Sequence, residues 1–197
     1  MYFLKRNNKS MRAVALITVL SIMFFAFVGC VEESEPETNT SNTSTILSFY
    51  SALQDNEAYP YTLTEKAKNT LEQKESLFID NSIDGCEENT DINLEYRALD
   101  KNIDNYGDKL IYLSEALVLQ IEETDLDDGT KATEMLICDA DENCYQIISL
   151  CGYDNIYKED IISVYGLPIA KSNFSNVSGG TTLVIILAAS HIEKIPE

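Results

Sequence analysis

The chain opens with a pattern of charge and hydropathy that is typical of an export signal. Four basic residues and no acidic residue precede an apolar run from Ala13 to Gly29, which only Thr18 and Ser21 interrupt. This order predicts a secretory signal over residues 1-29. The alternative is an uncleaved membrane-spanning helix, but the 17 residues of the run are at the short limit for crossing a hydrocarbon core of roughly 30 Å. In both cases the rest of the chain faces outward.

The apolar run ends in a motif around a cysteine. The stretch Ala26-Phe27-Val28-Gly29-Cys30 resembles the bacterial lipobox, in which a small residue precedes a cysteine that is acylated before cleavage. Phe27 departs from the family pattern, which usually has Leu at that position. The resemblance implies a lipid on Cys30 and a membrane-anchored chain on the extracytoplasmic face, because two or more acyl chains anchor stably. The polar residues 30-45 predict a disordered tether.

The next pattern is helical. Apolar residues recur at helical spacing from Ile46 to Leu53. Thr62 and Glu65 form the sequence pattern of a capping box, which predicts a second helix from about Leu63 to Phe78. The acidic and polar stretch after it predicts a connecting loop. Residues 46-90 are therefore expected to form a helical extension.

From Asp108 onward the pattern changes to β-strands. Runs rich in β-branched and aromatic residues alternate with short turns that contain Asp-Gly or Asn, which predicts antiparallel pairing. We expect residues 91-197 to form the β domain of a mainly β (α+β) chain, a five-stranded OB-like Greek-key barrel preceded by a short helical segment. The predicted strands cover residues 109-122, 132-138, 144-150, 160-166 and 183-195, with a polar loop at 168-182.

Parts of these strands resemble a known family, the OB-fold domains of small uncharacterised lipoproteins from Gram-positive bacteria. The resemblance covers about residues 105-195 and implies the fold while saying almost nothing of function. Where that family usually has Gly before the Asp of the fourth strand, this chain has Glu159. The matching stretches are Tyr106-Gly107-Asp108-Lys109, Lys158 to Gly166, Thr182 to Ile185 and His191 to Glu193.

Charge restricts the expected partners. The chain carries 14 basic and 33 acidic residues, and without the basic residues of the leader its formal charge falls to −23. A field of that sign repels polyanions, and nucleic-acid binding draws much of its affinity from Lys and Arg that neutralise phosphates. The composition therefore predicts no nucleic-acid partner.

Four cysteines besides Cys30 lie in a compartment that permits disulfides. Cys138 and Cys144 flank a short polar turn and are the candidates for a bridge across a hairpin; the others are Cys86 and Cys151. Four cysteines allow three connectivities, and free thiols are an equal alternative. A zinc site is not expected, because no spacing is Cys-x-x-Cys and the chain has a single histidine.

No arrangement of residues predicts catalysis or a cofactor. The histidine, His191, lies in an apolar run near the end of the last strand, and no serine stands in a Gly-x-Ser-x-Gly motif. The stretch Asp139 to Asn143 begins like a calcium loop, but Cys144 stands where the turn needs Gly and Leu150 where a Glu would complete the shell. We expect a hairpin turn there, no metal site and no enzyme.

The candidate ligand-binding segment is the polar loop before the last strand. It combines an aromatic residue with hydrogen-bonding side chains and two glycines, and in OB-folds this loop helps to frame the ligand face. A plain surface loop is the alternative, and for the two tyrosines among the candidates the alternative is packing in the barrel. The candidate residues are Tyr145, Tyr165, Lys171, Phe174, Ser178, Gly179 and Gly180.

Two functions fit these patterns. The first is a non-catalytic binding module, held at the membrane by its lipid, for an extracellular protein, peptide or glycan. The second is a structural cell-envelope protein with no small ligand. An exposed face lined by aromatic residues would favour the first function, and a barrel face covered by residues 46-90 would favour the second.

Overall fold

The computed structural model describes residues 44-54, 60-175 and 179-196. The predicted signal over residues 1-29 and Cys30 lie outside the described residues, as does nearly all of the predicted tether. No helix within the described ranges combines the length and the hydropathy needed to cross a membrane. The helices are α1 (Thr45–Ala52), α2 (Glu65–Gln73), α3 (Cys86–Asn89) and α4 (Tyr96–Asn102), with 3-10 turns at Glu75–Phe78 and Ile103–Asn105.

Helix α2 begins at a different cap from the predicted one. Its N-cap is Thr64, whose Oγ1 accepts a hydrogen bond from the amide of Ala67 at 3.2 Å. Thr62 is therefore not the cap, and Glu65 forms an ion pair with Lys68 at 2.7 Å. The side-chain oxygen of a threonine satisfies an amide of the first turn equally well from either position. The sequence pattern thus identified the helix but placed its start two residues early.

The predicted helix up to Phe78 is interrupted at Lys74. This residue has φ −124° and ψ 37°, which lie outside the helical region, so the α-helix ends at Gln73 and a 3-10 turn follows. The predicted loop after it contains α3, a one-turn helix that begins after Gly85. Gly85 has φ 79°, a left-handed conformation that glycine adopts without strain.

Five strands follow the helices and close into a barrel. They pair in the order β1-β2-β3-β5-β4, and β4 pairs with β1. The pairing of β3 with β5 is parallel and the other pairings are antiparallel. The prediction of a mainly β chain with five strands after a helical segment is confirmed. The strands are β1 (Ile111–Asp125), β2 (Lys131–Cys138), β3 (Cys144–Ser149), β4 (Ile161–Ser175) and β5 (Thr181–Lys194).

The main error in the strand prediction concerns the hairpin of β4 and β5. The sequence predicts a polar loop at 168-182, but β4 continues to Ser175, which pairs with Thr181 at the start of β5. Polar residues take part in this ladder, as in the pairing of Asn173 with Leu183. Backbone hydrogen bonds do not depend on side-chain polarity, so hydropathy misses a strand segment that extends beyond the core. Only five residues separate β4 from β5, instead of the long loop predicted.

The interior of the barrel is filled by alternate apolar residues from all five strands. Successive side chains of a strand point to opposite faces, so one face of each strand supplies the core. Examples from the five strands are the fully buried residues Val118, Met135, Ile147, Val164 and Leu187.

A different segment covers each end of the barrel. At the start of β3, helix α4 contributes Leu99 to the core, and Tyr96 of the same helix packs edge-on against Tyr145 with ring centroids 5.5 Å apart. After the end of β3, Tyr153 and Ile156 of the β3–β4 connection pack into the same cluster. Helix α4 lies in a stretch for which the sequence pattern predicted no element.

The N-terminal helices pack on the outside of the barrel. A second buried cluster joins α1 and α2 to outward residues of β3, β4 and β5. The hydroxyl of Tyr50 donates to the carbonyl of Ile148 at 3.0 Å, and the amide of Thr64 donates to the carbonyl of Ile169 at 3.0 Å. Burial of apolar surface stabilises a fold by about 25 cal/mol per Å². Here both the helices and the barrel bury apolar surface. The segment 46-90 therefore shares a core with the barrel.

A strap of residues 79-83 covers an open edge of β5. Strand β3 ends at Ser149, so the end of β5 has no strand beside it on that side. The side chain of Asn81 takes that place: Nδ2 donates to the carbonyl of Ile192 at 3.0 Å, and Oδ1 accepts from the amide of Ile192 at 2.7 Å. The hydroxyl of Tyr153 also donates to Asn81 Oδ1, at 3.1 Å. One side chain thus satisfies both backbone groups of a buried residue.

The entry into β4 has a left-handed residue. Glu159 has φ 75°, and its amide donates to the carbonyl of Val118 at 2.8 Å. The amide of Val118 in turn donates to the carbonyl of Asp160 at 2.9 Å. Glycine adopts a positive φ without the steric cost that a glutamate has. A glycine would therefore fit this position without strain.

Candidate functional site

Tyr145 lies in the core and does not face a ligand. Its side chain is buried inside the barrel, and its hydroxyl donates to Oδ2 of Asp139 at 3.3 Å. Burial, together with the Asp139 carboxylate, raises the pKa of Tyr145 well above its usual value. Its position in β3 points inward, where the alternative of packing in the barrel places it.

The other candidates from the predicted loop do not converge on one site. The ammonium group of Lys171 donates to the carbonyl of Asp100 and lies 3.4 Å from its Oδ1. Phe174 packs on a small cluster that contains Val184. Gly179, at φ 80°, and Gly180 are exposed in the turn after β4. Ser178 lies outside the described residues. Tyr165 is nine positions before Phe174 in β4, a distance of roughly 30 Å along a strand.

A disulfide closes the turn between β2 and β3. Cys138 and Cys144 are bonded, with Cα atoms 4.4 Å apart. Oδ1 of Asp139 accepts from the amides of Asp141 and Asn143 at 3.0 and 2.9 Å. These bonds within the turn account for the acidic residues that resemble the start of a calcium loop. The ranges described contain no group of three or more His, Cys, Asp or Glu side chains placed to hold a metal ion.

Cys86 and Cys151 are free thiols. The Sγ atom of Cys86 lies 3.2 Å from Oγ of Ser190, and Sγ of Cys151 donates to the carbonyl of Ile79 at 3.4 Å. Burial raises the pKa of both thiols, which keeps them protonated and weakly nucleophilic. Both positions favour a structural role.

Three aromatic residues form a row across the outer face of the barrel. Tyr112 of β1 is paired with Tyr165 of β4, which is paired with His191 of β5. The tyrosine rings are stacked with centroids 4.4 Å apart, and the rings of Tyr165 and His191 are 6.4 Å apart. Tyr112 is 41 % exposed, and the other two are half-buried. We call Tyr112, Tyr165 and His191 the aromatic row.

A cleft adjoins the aromatic row at His191. The strap, the β3–β4 connection and the end of β5 enclose a volume of about 710 Å³. Clefts of a few hundred cubic ångströms are typical of small-ligand sites. The lining includes Asn81, Ile83, Tyr153, Asp154, His191 and Glu193.

His191 is held in place by a hydrogen bond to the strap. Its Nδ1 lies 2.7 Å from the carbonyl oxygen of Asn81. Because a carbonyl only accepts, Nδ1 carries the proton, and Nε2 of the neutral ring is an acceptor. In the described part of the chain, no carboxylate or nucleophile shares a hydrogen bond with this ring.

The sequence offered one signal for the aromatic row. Tyr112 stands between the inward residues Ile111 and Leu113, so alternation in β1 directs it outward. Its neighbours in the row come from strands about 50 and 80 residues later in the chain. Strand register between distant segments is not encoded in local alternation. The row and the cleft were therefore missed.

The comparisons with known proteins name no family for this chain. No family model matches it, and no curated protein sequence matches it. The chain is similar to a solution structure of the second OB-fold domain of replication protein A from Methanococcus maripaludis. The identity is 22%, the match covers 45% of this chain and 84% of that chain, and the TM-score is 0.24. No residue role follows from a superposition with this score.

That similarity corrects the expectation that nucleic acid is not a partner. The similar chain is an OB-fold domain of a replication protein, so the exclusion of nucleic acid is withdrawn. The error lies in treating net charge as a property of every face. Net charge is a sum over the whole chain, whereas each face of a barrel has its own local field. Nucleic acid is therefore among the ligand classes to be tested.

Proposed function

We propose that this chain is an extracytoplasmic lipoprotein, held in the membrane by a lipid on Cys30, and that its barrel binds a ligand without catalysing a reaction. The leader supports the anchor, since a basic segment and an apolar run precede Cys30. The small residue Gly29 before this cysteine supports acylation and cleavage at the same place.

The proposed barrel type is an OB-like Greek-key barrel. Its support is the order of the strands, β1-β2-β3-β5-β4, with closure between β4 and β1 and a parallel pairing of β3 with β5. A closed five-stranded barrel of this kind leaves few unpaired edges and presents its outer face and its turns to ligands. Helix α4, which covers one end, precedes β1 in the chain.

The observation that carries the binding function is the aromatic row beside the cleft. Stacked tyrosine rings that remain in contact with water, next to a concavity of about 710 Å³, combine the two features that ligand sites share. The cleft is lined by carbonyl, amide and carboxylate groups as well as by Ile83. Such a lining provides both apolar contact and orientation of a ligand.

A structural role in the cell envelope is the second candidate. The observation in its favour is the second buried cluster, in which residues 46-86 cover the outer faces of β3, β4 and β5. A covered face serves stability and is closed to a ligand. The aromatic row lies outside this cover at Tyr112, so the two candidates differ in whether that residue has a function.

Two pairs of variants test the two parts of the proposed function. Cys30→Ala should abolish acyl labelling and cleavage after Gly29, whereas Cys151→Ala should leave both unchanged. When solubilised membranes are passed over the immobilised lipidated protein, a partner should be captured by the wild type and by Tyr112→Phe, which keeps the exposed ring. Tyr112→Ala should lose that partner.

Each part has its own contrary result. Acyl labelling of Cys30→Ala would show that the lipid site is elsewhere. Capture of the same partner by Tyr112→Ala and the wild type would remove the row from the site and favour the structural role.

A further inference from the structure

Negative charge surrounds the aromatic row and the cleft. Glu193 follows His191 by two residues and so lies on the same face of β5, and Asp154 lines the cleft. The carboxylate of Glu87 acts electrostatically on Tyr165. All three carboxylates are exposed, and none of them forms an ion pair with any residue in the described ranges.

Lys194 also lines the cleft, and its charge is paired. The ammonium group of Lys194 pairs with Oδ2 of Asp160 at 2.8 Å. The same ammonium group lies 5.8 Å from the ring centroid of Tyr157, within the range of a cation–π contact. The chain therefore places a cation over a tyrosine beside this site. Asp154 acts electrostatically on Lys131 but forms no ion pair with it, and Glu193 forms no ion pair with any described residue.

We infer that the aromatic row and the cleft bind a cationic peptide segment, with a guanidinium or ammonium group over Tyr112 and the rest of the segment in the cleft. This inference deepens the proposed function and rests on it. The face of a tyrosine ring attracts a cation, and unpaired carboxylates extend that attraction into solution. Nε2 of His191 accepts a hydrogen bond from groups such as guanidinium that only donate.

The segment lies across the strands rather than adding a strand to the sheet. Addition of a strand needs free backbone groups at an edge, and Asn81 already occupies the amide and the carbonyl of Ile192. The row crosses three neighbouring strands, which corresponds to about 10 Å. Together with the cleft, this length fits a peptide of several residues.

The test uses a fluorescein-labelled nonapeptide of alternating Arg and Gly and the same peptide with citrulline, a neutral isostere, in place of Arg. Anisotropy is measured with the mature lipidated chain in detergent micelles, at low and at high salt. We expect binding of the arginine peptide, no binding of the citrulline peptide, and weaker binding at high salt. Tyr112→Ala should weaken binding about two- to fivefold, which corresponds to an exposed cation–π contact. Tyr112→Phe keeps the aromatic ring and should retain the binding of the wild type.

Matched charge variants separate the site from the general attraction of an acidic protein. Glu193→Gln should weaken binding of the arginine peptide. Asp141→Asn removes the same charge at an exposed turn at the other end of the barrel and should have a smaller effect.

Four results would overturn the inference. Equal binding of the arginine peptide by Tyr112→Ala and the wild type, or equal effects of Glu193→Gln and Asp141→Asn, would mean that the attraction is not local. The protein could instead bind oligothymidylate or a neutral chitin oligosaccharide, and not the peptide, in a way that depends on Tyr112. That result would show that the ligand is not a cationic peptide, while the proposed binding function stands. If no probe binds, the inference of a cationic ligand is refuted. If, in addition, capture of a partner from membranes does not depend on Tyr112, the binding function is refuted as well.

Discussion

Replacing Asn81 by Ala tests how the strap holds the end of β5. The change removes three hydrogen bonds of the side chain, two with the backbone of Ile192 and one with Tyr153. Each bond contributes about 1 kcal/mol, and leaving the buried backbone groups of Ile192 without partners adds to that loss. Asn81 has φ 55°, and alanine in that conformation costs about 1 kcal/mol more. We expect a loss of about 3 to 5 kcal/mol, a large share of the 5 to 15 kcal/mol typical of a domain.

The assay is thermal and urea unfolding followed by circular dichroism, on residues 30-197 with Cys30→Ser. A loss of this size should lower Tm by about 10 °C. Asn81→Gly removes the same three hydrogen bonds without the cost of the positive φ, so it should be less destabilising than Asn81→Ala. Asn155→Ala is the matched control, since its side chain is exposed in the neighbouring loop, and we expect a change within about 0.5 kcal/mol.

The reasoning would be refuted by an Asn81→Ala protein that unfolds like the Asn155→Ala control. Such a result would mean that the strap is already detached in solution. Asn81→Asp gives a further check, because it keeps the acceptor for the Ile192 amide and loses the donor to the Ile192 carbonyl. Its stability should lie between those of the wild type and the alanine variant.

Two further predictions concern Glu123 and Glu159. Hydrogen bonds from the Tyr153 amide, and then from Lys131 and Thr133, hold the pKa of Glu123 below its usual 4.5. The Glu123 carboxylate therefore stabilises the fold above that pH, and its contribution is lost as the pH falls through the lowered pKa. Glu123→Gln should therefore lower the urea midpoint at pH 7, and its difference from the wild type should shrink at pH 3; a constant difference would contradict this. Glu159→Gly relieves the strain of the left-handed φ of 75°. After the larger chain entropy of an unfolded glycine is subtracted, the variant should be more stable than the wild type by about 0.5 kcal/mol. A lower Tm for this variant would show that the Glu159 side chain makes a compensating contact.

The sequence predicted the elements whose pattern is local. Strand β2 begins at Lys131, one residue from the predicted start, because the Asp127-Asp128-Gly129 turn specifies where the partner strand begins. The predicted hairpin of β2 and β3 makes Cys138 and Cys144 candidates for a bridge, and they are bonded in the structure. Local pattern suffices here because the partners are adjacent in the chain.

Elements that depend on distant contacts were not predicted. Helix α4 is stabilised by Leu99, which packs on strands that follow much later, and its own capping signal is weak because Glu95 makes no side-chain cap. The aromatic row requires the register of β1, β4 and β5 together. The strap depends on the early end of β3, which leaves an edge for Asn81. None of these relations leaves a periodic trace in the segment concerned.

The docking of the helices on the barrel also determines when the chain can fold. Tyr50 and Ile148 are 98 residues apart in sequence, Asn81 and Ile192 are 111 apart, and Leu77 and Ser190 are 113 apart. Such separations give the domain a high contact order, and chains of that kind fold in milliseconds to seconds rather than microseconds. Helix α1 has no complete surface to dock on until β5 has been synthesised. The nascent chain therefore has to keep the apolar faces of its first helices unassembled until its last strand is available.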